Sequence, residues 1–507
     1  MKPLNRVTSP REFSFDDLGH AARPLRVSAA LAGLGLGLGL ASAMGQSSGP
    51  TEKPNAPAAS EVPVINAWLR EQSPAWADWD VGMQLRARYE RKDDGGSDGR
   101  YAADDFLKET PPGRFNDNAF LLLREKLHVG YTPVPWCTVF LEGRDSSSSG
   151  DRRDPNPGAD VLDVHQAYLR LGQRGEFPLF ATVGRQELLY ADERMVGIGD
   201  WGNLGRVFDA AKLRWEGTGY WVDAFAGRVV IPDNHNFNLS GDYDALTGLY
   251  ASSKGLLPFQ ETQLYVLGHH VEADALVIDP GWLTSPARPQ DTLTFGFRAQ
   301  SIAGKLGNWD YAVEAAGQCG TVNALDRRLD QLGWNTTLAA GYTWKSAHWQ
   351  PRLGLGYDFA SGDGDPNDDQ NGTFLPLFPT NHKVYGLMDI VGPRNLHDPR
   401  VHASIKPIKS LTIAAEFHLL WLATTEDFFY PEGGAARARN GYGRHPEYDG
   451  FVGSEFDLDV TWRVRPWMTL RAGYGHFFVG QYIESSLSRA GGATDADWVY
   501  LQTTLSL

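Results

Sequence analysis

Guanidinium groups recur two residues apart along this chain. Arg86 and Arg88 stand in MQLRARYERK (83–92), Arg124 and Lys126 in LLLREKLHV (121–129), and Arg463 and Arg465 in TWRVRP (461–466). A guanidinium binds a planar carboxylate through two parallel N–H bonds, so these residue types suit anion recognition. In a strand, residues i and i+2 share a face, and the spacing sets cations in a row along one wall. Further cations follow on the same parity of their own segments: Arg214, Arg298, Arg352, Lys406 and Arg471. Carboxylates share those faces too: Glu90, Glu142, Glu314, Asp358, Glu416, Asp457 and Asp459. Two readings stay open, a path for anions and a set of ion pairs that merely fill the space between walls.

Other chemistry in the sequence is weaker. GIGDWG (197–202) matches a dinucleotide-binding pattern in letters, but no helix follows it. In DGDPND (363–368) and beyond, Asp363, Asp365, Asn367 and Asp369 alternate like the opening of a calcium loop. Position six of that loop is Asp368 instead of Gly, and position twelve is Phe374 instead of Glu, so the expectation is a solvated acidic loop with at most a weak divalent site. His418 and Glu416 share a strand face, yet no nucleophile is placed near them, which makes a hydrolase the weaker alternative. His269 and His270 are adjacent and point to opposite faces. The two cysteines, Cys137 and Cys319, fall on apolar parities and read as packed free thiols. No cofactor is expected.

The elements that must position these groups are strands. In MQLRARYERK, Met83, Leu85, Ala87 and Tyr89 lie opposite Gln84, Arg86, Arg88 and Glu90. The same alternation recurs in TLTFGFRAQ, WDYAVEAAGQ, PRLGLGYDF, LTIAAEFHLLW and SEFDLDVTWRVR. About eighteen such strands can be counted from residue 79, within the range of membrane barrels. Their connections alternate between short and long. TPVP (132–135), GTG (217–219), PIKS (407–410) and RP (465–466) are short, whereas RKDDGGSDGRYAADD and SSSSGDRRDPNPGAD are long and polar. An outer-membrane barrel has short periplasmic turns and long outer loops. Trp136, Trp215, Tyr220, Trp309, Trp344, Trp349, Trp462 and Trp467 flank the short turns, as an aromatic girdle would. The apolar parity then faces lipid and the arginines face a lumen. Glu125 falls on the lipid parity and has no explanation in the pattern. The loop at 361–382, rich in Asp, Asn, Gly and Pro, reads as a removable loop with little burial, whose deletion would raise conductance if it lids the pore.

Arg23 and Arg26, the apolar run VSAALAGLGLGLGL and ASA (41–43) read as a signal peptide over residues 1–45, cleaved near 43–45. Its removal takes the net charge from −15 to −17. An exported acidic chain is a poor partner for nucleic acid. Residues 46–78 read as a linker with one short helix in EVPVINAWLREQ (61–72), and residues 79–507 as an all-β transmembrane antiparallel barrel.

GRQELLYADERMVGIGDWGNLGRVFDAAKL (184–213) resembles the central block of the alginate export family of outer-membrane porins. YDFASGDGDPNDDQNGTFLPLFPTNHKVYGLMD (357–389) and VGSEFDLDVTWRVRPWMTLRAGYGHFFVG (452–480) support the resemblance, which covers residues 79–507. It implies a monomeric eighteen-stranded barrel with an arginine-rich constriction and loops that partly close the pore. It also implies passage of alginate or related carboxylated solutes, with periplasmic export or synthesis proteins as partners. Arg185, Arg194 and Arg206 of the central block would join the lumen if it folds inward. The alternative function is an anion- or sugar-selective porin for uptake.

Overall fold

The computed structural model describes residues 64–95, 106–108, 116–153, 156–173, 176–272, 276–278, 284–286, 289–324 and 327–507. The expected signal peptide, and all of the linker before residue 64, lie outside the described residues. The expected short helix is α1 (Val64–Gln72).

Eighteen antiparallel strands close into one barrel. The first nine are β1 (Trp79–Asp93), β2 (Asn118–Val134), β3 (Cys137–Ser149), β4 (Asp160–Leu171), β5 (Leu179–Gln186), β6 (Phe208–Gly217), β7 (Tyr220–Ile231), β8 (Leu239–Ser253) and β9 (Gln260–Val271). The second nine are β10 (Gln290–Ser301), β11 (Trp309–Ala324), β12 (Arg327–Thr343), β13 (Arg352–Ala360), β14 (Leu396–Ile408), β15 (Leu411–Leu422), β16 (Phe451–Arg465), β17 (Met468–Val479) and β18 (Ala496–Ser506). Each strand pairs with its neighbours in sequence. The ring closes where β1 pairs with β18, with Arg86 opposite Thr504 and Tyr89 opposite Leu501. Closure leaves no edge strand, as a sheet in lipid requires; the gap in pairing among the named strands falls beside the upper part of β4, next to the short β5.

The barrel is inside out. Leu121, Leu127, Val139, Leu141, Leu213, Leu249, Phe295, Leu355 and Leu501 are exposed on its outer wall, while Arg86, Arg88, Arg124, Glu314 and Asp358 are buried within. Period-2 alternation sets this register, because a one-residue slip would turn every arginine toward lipid. Trp136, Trp309, Trp349 and Trp467 are exposed beside the short turns, and Trp79 stacks on Tyr131 with ring centres 4.4 Å apart.

Three expectations are corrected here. Cys319 is exposed on the outer wall and so faces lipid instead of packing; Cys137 is half-buried and both are free. Arg185 shares its side of β5 with exposed Val183, and its register partner Asp209 shares a side of β6 with exposed Leu213, so it points away from the lumen. Its guanidinium is covered by Asp209 (2.8 Å) and by the carbonyls of Val164 and Asn238. The segment 361–382 is not a loop of little burial: Phe374, Leu377, Phe378 and Asn381 in its second half are buried.

Glu125 does face outward, and its register partner on β3 is Asp145. Two like charges sit side by side on a surface that wants apolar groups. A carboxylate there is destabilising, less so than an arginine. Glu125→Leu should therefore raise barrel stability by about 1 kcal/mol, read as a higher urea midpoint in lipid vesicles. A lower midpoint would show that this face meets something other than acyl chains.

Candidate functional site

Two long connections turn into the barrel instead of away from it. Residues 187–207 join β5 to β6, and residues 361–395 join β13 to β14. They meet each other through a short parallel bridge, Val196 beside Phe378. Phe378 N–H donates to the Met195 carbonyl at 2.9 Å, and Gly197 N–H to the Phe378 carbonyl at 2.8 Å. Thr380 N–H donates to the Glu193 carbonyl at 2.9 Å. Apolar side chains from both segments, among them Met195, Val196, Phe374, Tyr385 and Met388, are buried together.

The first segment turns sharply. Ala191 and Glu193 both hold positive φ, which is uncommon outside glycine. The surrounding contacts fix them there: the Glu193 carboxylate takes Lys383 Nζ at 3.0 Å, Thr380 Oγ1 at 2.7 Å and the Ile198 N–H at 3.1 Å. A Cβ at Gly197 would come within 2.5 Å of the Glu193 Cβ and Thr380 Oγ1. The glycine of GIGDWG is thus demanded by loop packing, and the dinucleotide pattern has no bearing.

Most predicted lumen cations anchor these segments. Arg86 donates to the Asp200 carbonyl at 2.5 Å and to the Gly202 carbonyl at 2.9 Å. Arg88 donates to Trp201 O at 2.7 Å and to Glu90 at 2.7 Å, and its guanidinium carbon lies 3.6 Å from the centre of the Trp201 ring. Arg124 pairs with Asp200 at 2.8 Å. Arg194 sits between Asp358 at 2.8 Å and Asp192 at 3.2 Å. Arg206 donates to the carbonyls of Gly197, Phe378 and Pro379, and Arg298 lies 3.5 Å from Glu314 and 3.6 Å from Asp192. Arg214 and Arg352 hold Asp223 and Asp310 across strands at 2.6 and 2.5 Å. Arg463 and Arg465 are brought into no such contact and lie exposed at the short-turn end. Two further arginines, outside the expected set, are held in the same way: Arg144, bonded to Asp160 and to the Leu204 carbonyl, and Arg400, bonded to Asp358. Both alternate with residues that were assigned to the lumen, and that alternation was the available signal.

Between the inward segments and the wall of β14–β18 and β1 lies a cavity of about 410 Å³. Asp200, Lys383, His402, Glu416, Asp459 and Arg471 bring charge or a titratable ring to it. Trp201 borders it, its indole stacked on His382 at 3.8 Å between ring centres. Asp200 is at once enclosed by the barrel and 54% open to the cavity. Burial opposes its ionisation, but Arg124, Arg86 and Lys126 overcome this and hold its carboxyl down at about 2. Burial depresses Arg206 to about 10, with Glu432 and Glu193 acting the other way; it still carries its proton at neutral pH.

Asp363, Asp365, Asn367 and Asp369 do not converge. Asp363 accepts from Gly372 N–H, Asp365 from Asn367 N–H, and Asp369 pairs with Arg327 at 2.8 Å. Among the described residues, Glu142, His165 and Glu187 are the group spaced for a metal. Lys126 lies 3.6 Å from Glu142 and 3.5 Å from Glu187, so an ammonium already stands among those carboxylates. His418 is held by Asp398 at 2.9 Å, with Glu416 at 3.8 Å and Asp457 at 4.0 Å.

Two outcomes follow from this anchoring. Arg86→Met leaves buried loop carbonyls without donors and should cost about 3 kcal/mol; conductance should rise and grow noisy while the barrel still forms. Unchanged conductance in the folded variant would show that segment 187–207 is held without Arg86. Because Asp200 has a lowered pKa, its stabilisation is complete above its ordinary value of 3.8 and is lost as pH falls toward about 2. Conductance noise should stay flat from neutral pH to about pH 5 and rise only below about pH 4; a rise near pH 6 would place the sensitive group elsewhere.

Comparison with known proteins agrees with this architecture. Three outer-membrane porin structures from Pseudomonas aeruginosa share the fold. OccK9 (OpdG) is 13% identical with a TM-score of 0.54, the match covering 85% of this chain and 99% of that one. OpdK, solved with vanillate, is 12% identical at 0.52, covering 85% and 99%. OccD3 (OpdP) is 13% identical at 0.51, covering 84% and 91%. No curated protein matches the chain. The family model for alginate export matches residues 78–496, almost the whole barrel. With its closed wall, aromatic girdle and charged interior, the chain belongs to the alginate export family and is a channel of the bacterial outer membrane.

Proposed function

We propose that the channel passes small carboxylated sugars, uronates and their short oligomers. The observation that carries this reading is the pairing of charges at the cavity. Lys383 and Arg471 are 43% and 31% exposed, beside Asp200, Glu416 and Asp459 at 54%, 31% and 21%. A uronate brings a carboxylate for the cations and several hydroxyl donors for the carboxylates. A cavity of about 410 Å³ is at the lower end of ligand-site volumes, enough for a sugar-sized solute. Vanillate, recorded with OpdK, is likewise a small carboxylate. A long polyuronate, the cargo suggested by the family name, would require segments 187–207 and 361–395 to leave the lumen. Export and uptake are both served by such a path.

Solute flux into vesicles containing the protein would test this. Glucuronate should enter faster than glucose, and Lys383→Gln should remove most of that preference without loss of folded barrel. A long polyuronate should be excluded. Equal entry of glucose and glucuronate would overturn the reading.

A further inference from the structure

The lumen's charges are divided by depth. Near the short turns, the inward carboxylates Asp223, Asp310 and Asp459 already hold arginines, at 2.6, 2.5 and 2.9 Å. Four cations share that level. Arg170 is on the face of Tyr168, Lys212 on that of Arg214 and Arg463 on that of Asp459, while Lys406 stands just past Ser404 at the bulge that ends β14. Among the described residues, no carboxylate stands within ion-pairing distance of any of the four. Arg170 lies over the Tyr168 ring, 5.3 Å from its centre, and donates to the Tyr168 hydroxyl at 3.4 Å. Arg170 and Arg463 are exposed, and Lys212 and Lys406 are partly so. A partly enclosed ammonium without a counter-charge is costly unless an anion visits it.

These are not lipid headgroup contacts. Register sets Arg170 and Lys212 both opposite Thr182, which is buried on the inner wall, and Arg463 opposite Thr469, on the face of Arg471. Two of the cations come from β4 and β6, and two from β14 and β16, on the far side of the ring. A monovalent solute could touch only one side. A solute with several carboxylates could touch both.

We propose that the periplasmic mouth is a capture site for multivalent carboxylates, separate from the cavity between the inward segments. Taking an oligouronate as the ligand rests on the function proposed above; the capture site itself requires only several negative charges. Cations in a partly enclosed mouth concentrate anions and raise their arrival rate, most strongly at low salt.

The test is block of ion current through single channels in a planar bilayer, with orientation read from maleimide access to a Lys345→Cys turn residue in a Cys137→Ser, Cys319→Ala background. A uronate tetramer and, separately, citrate are added to one side at a time. Block should be faster from the short-turn side for both probes. Replacing Lys212, Lys406 and Arg463 together by Gln should slow that arrival by about tenfold or more, and leave arrival from the long-loop side unchanged. If the triple variant does not fold, Lys212→Gln alone should give a smaller loss with the same sidedness. Sided, variant-sensitive block by citrate but none by the tetramer would keep the capture site and refute the uronate reading. Block by the tetramer that is equal from both sides, or unchanged in the folded variants, would overturn the capture site and leave the uronate reading intact.

Discussion

A charged side chain cannot rest against acyl chains, and the rest of this structure answers to that. Alternate residues of eighteen strands must face lipid, so the charged ones are driven to the other face. There they crowd a lumen too narrow to hydrate them all. Each buried guanidinium needs partners for its N–H groups, and leaving them unmet is costly. The wall itself supplies some, as Asp223 on the next strand does for Arg214 and as Asp310, reached across Gly341 of β12, does for Arg352. The others come from the two inward segments, whose carbonyls end at Arg86, Arg88 and Arg206. The folded-in loops are thus a consequence of the lipid-facing rule as much as a device of the pore.

This explains what could be read from the sequence. Strand parity, the alternation of short and long connections and the tryptophan girdle are local patterns, and local patterns set strand register. The partners of the arginines are not local: Arg86 meets residues more than 110 positions away, and Arg194 meets Asp358. No periodicity encodes such a meeting, so a row of lumen arginines reads as a conduction ladder when most of it is anchoring. Segment 361–382 misleads in another way. Its first half is Asp, Asn and Gly, but FLPLF (374–378), and VYGLMDIV (384–391) just beyond it, bring the apolar groups that pull the connection inward. By sequence alone Arg185 groups with the loop that follows it. It belongs instead to the last turns of β5, where one step of parity decides between lumen and outer wall.

The outer wall shows the rule being strained. Glu125 opposite Asp145, and the Arg185–Asp209 pair, lie on the β2–β6 arc, where β5 is shorter than its neighbours and its chain leaves for the lumen. Register irregularities in the β3–β4 pairing fall in the same arc. Drawing a segment out of the wall to fill the pore leaves β4 without a partner above Ala167, and Asn238 from the β7–β8 connection bonds Asp160 and Asp163 there. Closing the pore and closing the wall are coupled at this point.

An arginine whose donors are held by loop carbonyls and by Asp200, Gln84 or Glu90, or are closed off from the lumen as Nε of Arg86 and Arg124 is, offers no bond to a solute. It keeps its charge, and in a space walled by protein and lipid that charge is weakly screened. Arg86, Arg88 and Arg124 therefore act on a passing ion through potential, while recognition falls to groups with donors or acceptors turned to water, such as Lys383, Arg471, Asp200 and Glu416. The two roles can change independently. A substitution that keeps the anchoring bonds but alters the cavity groups changes which solute fits. One that removes an anchor changes how much of the lumen is open before any question of fit arises.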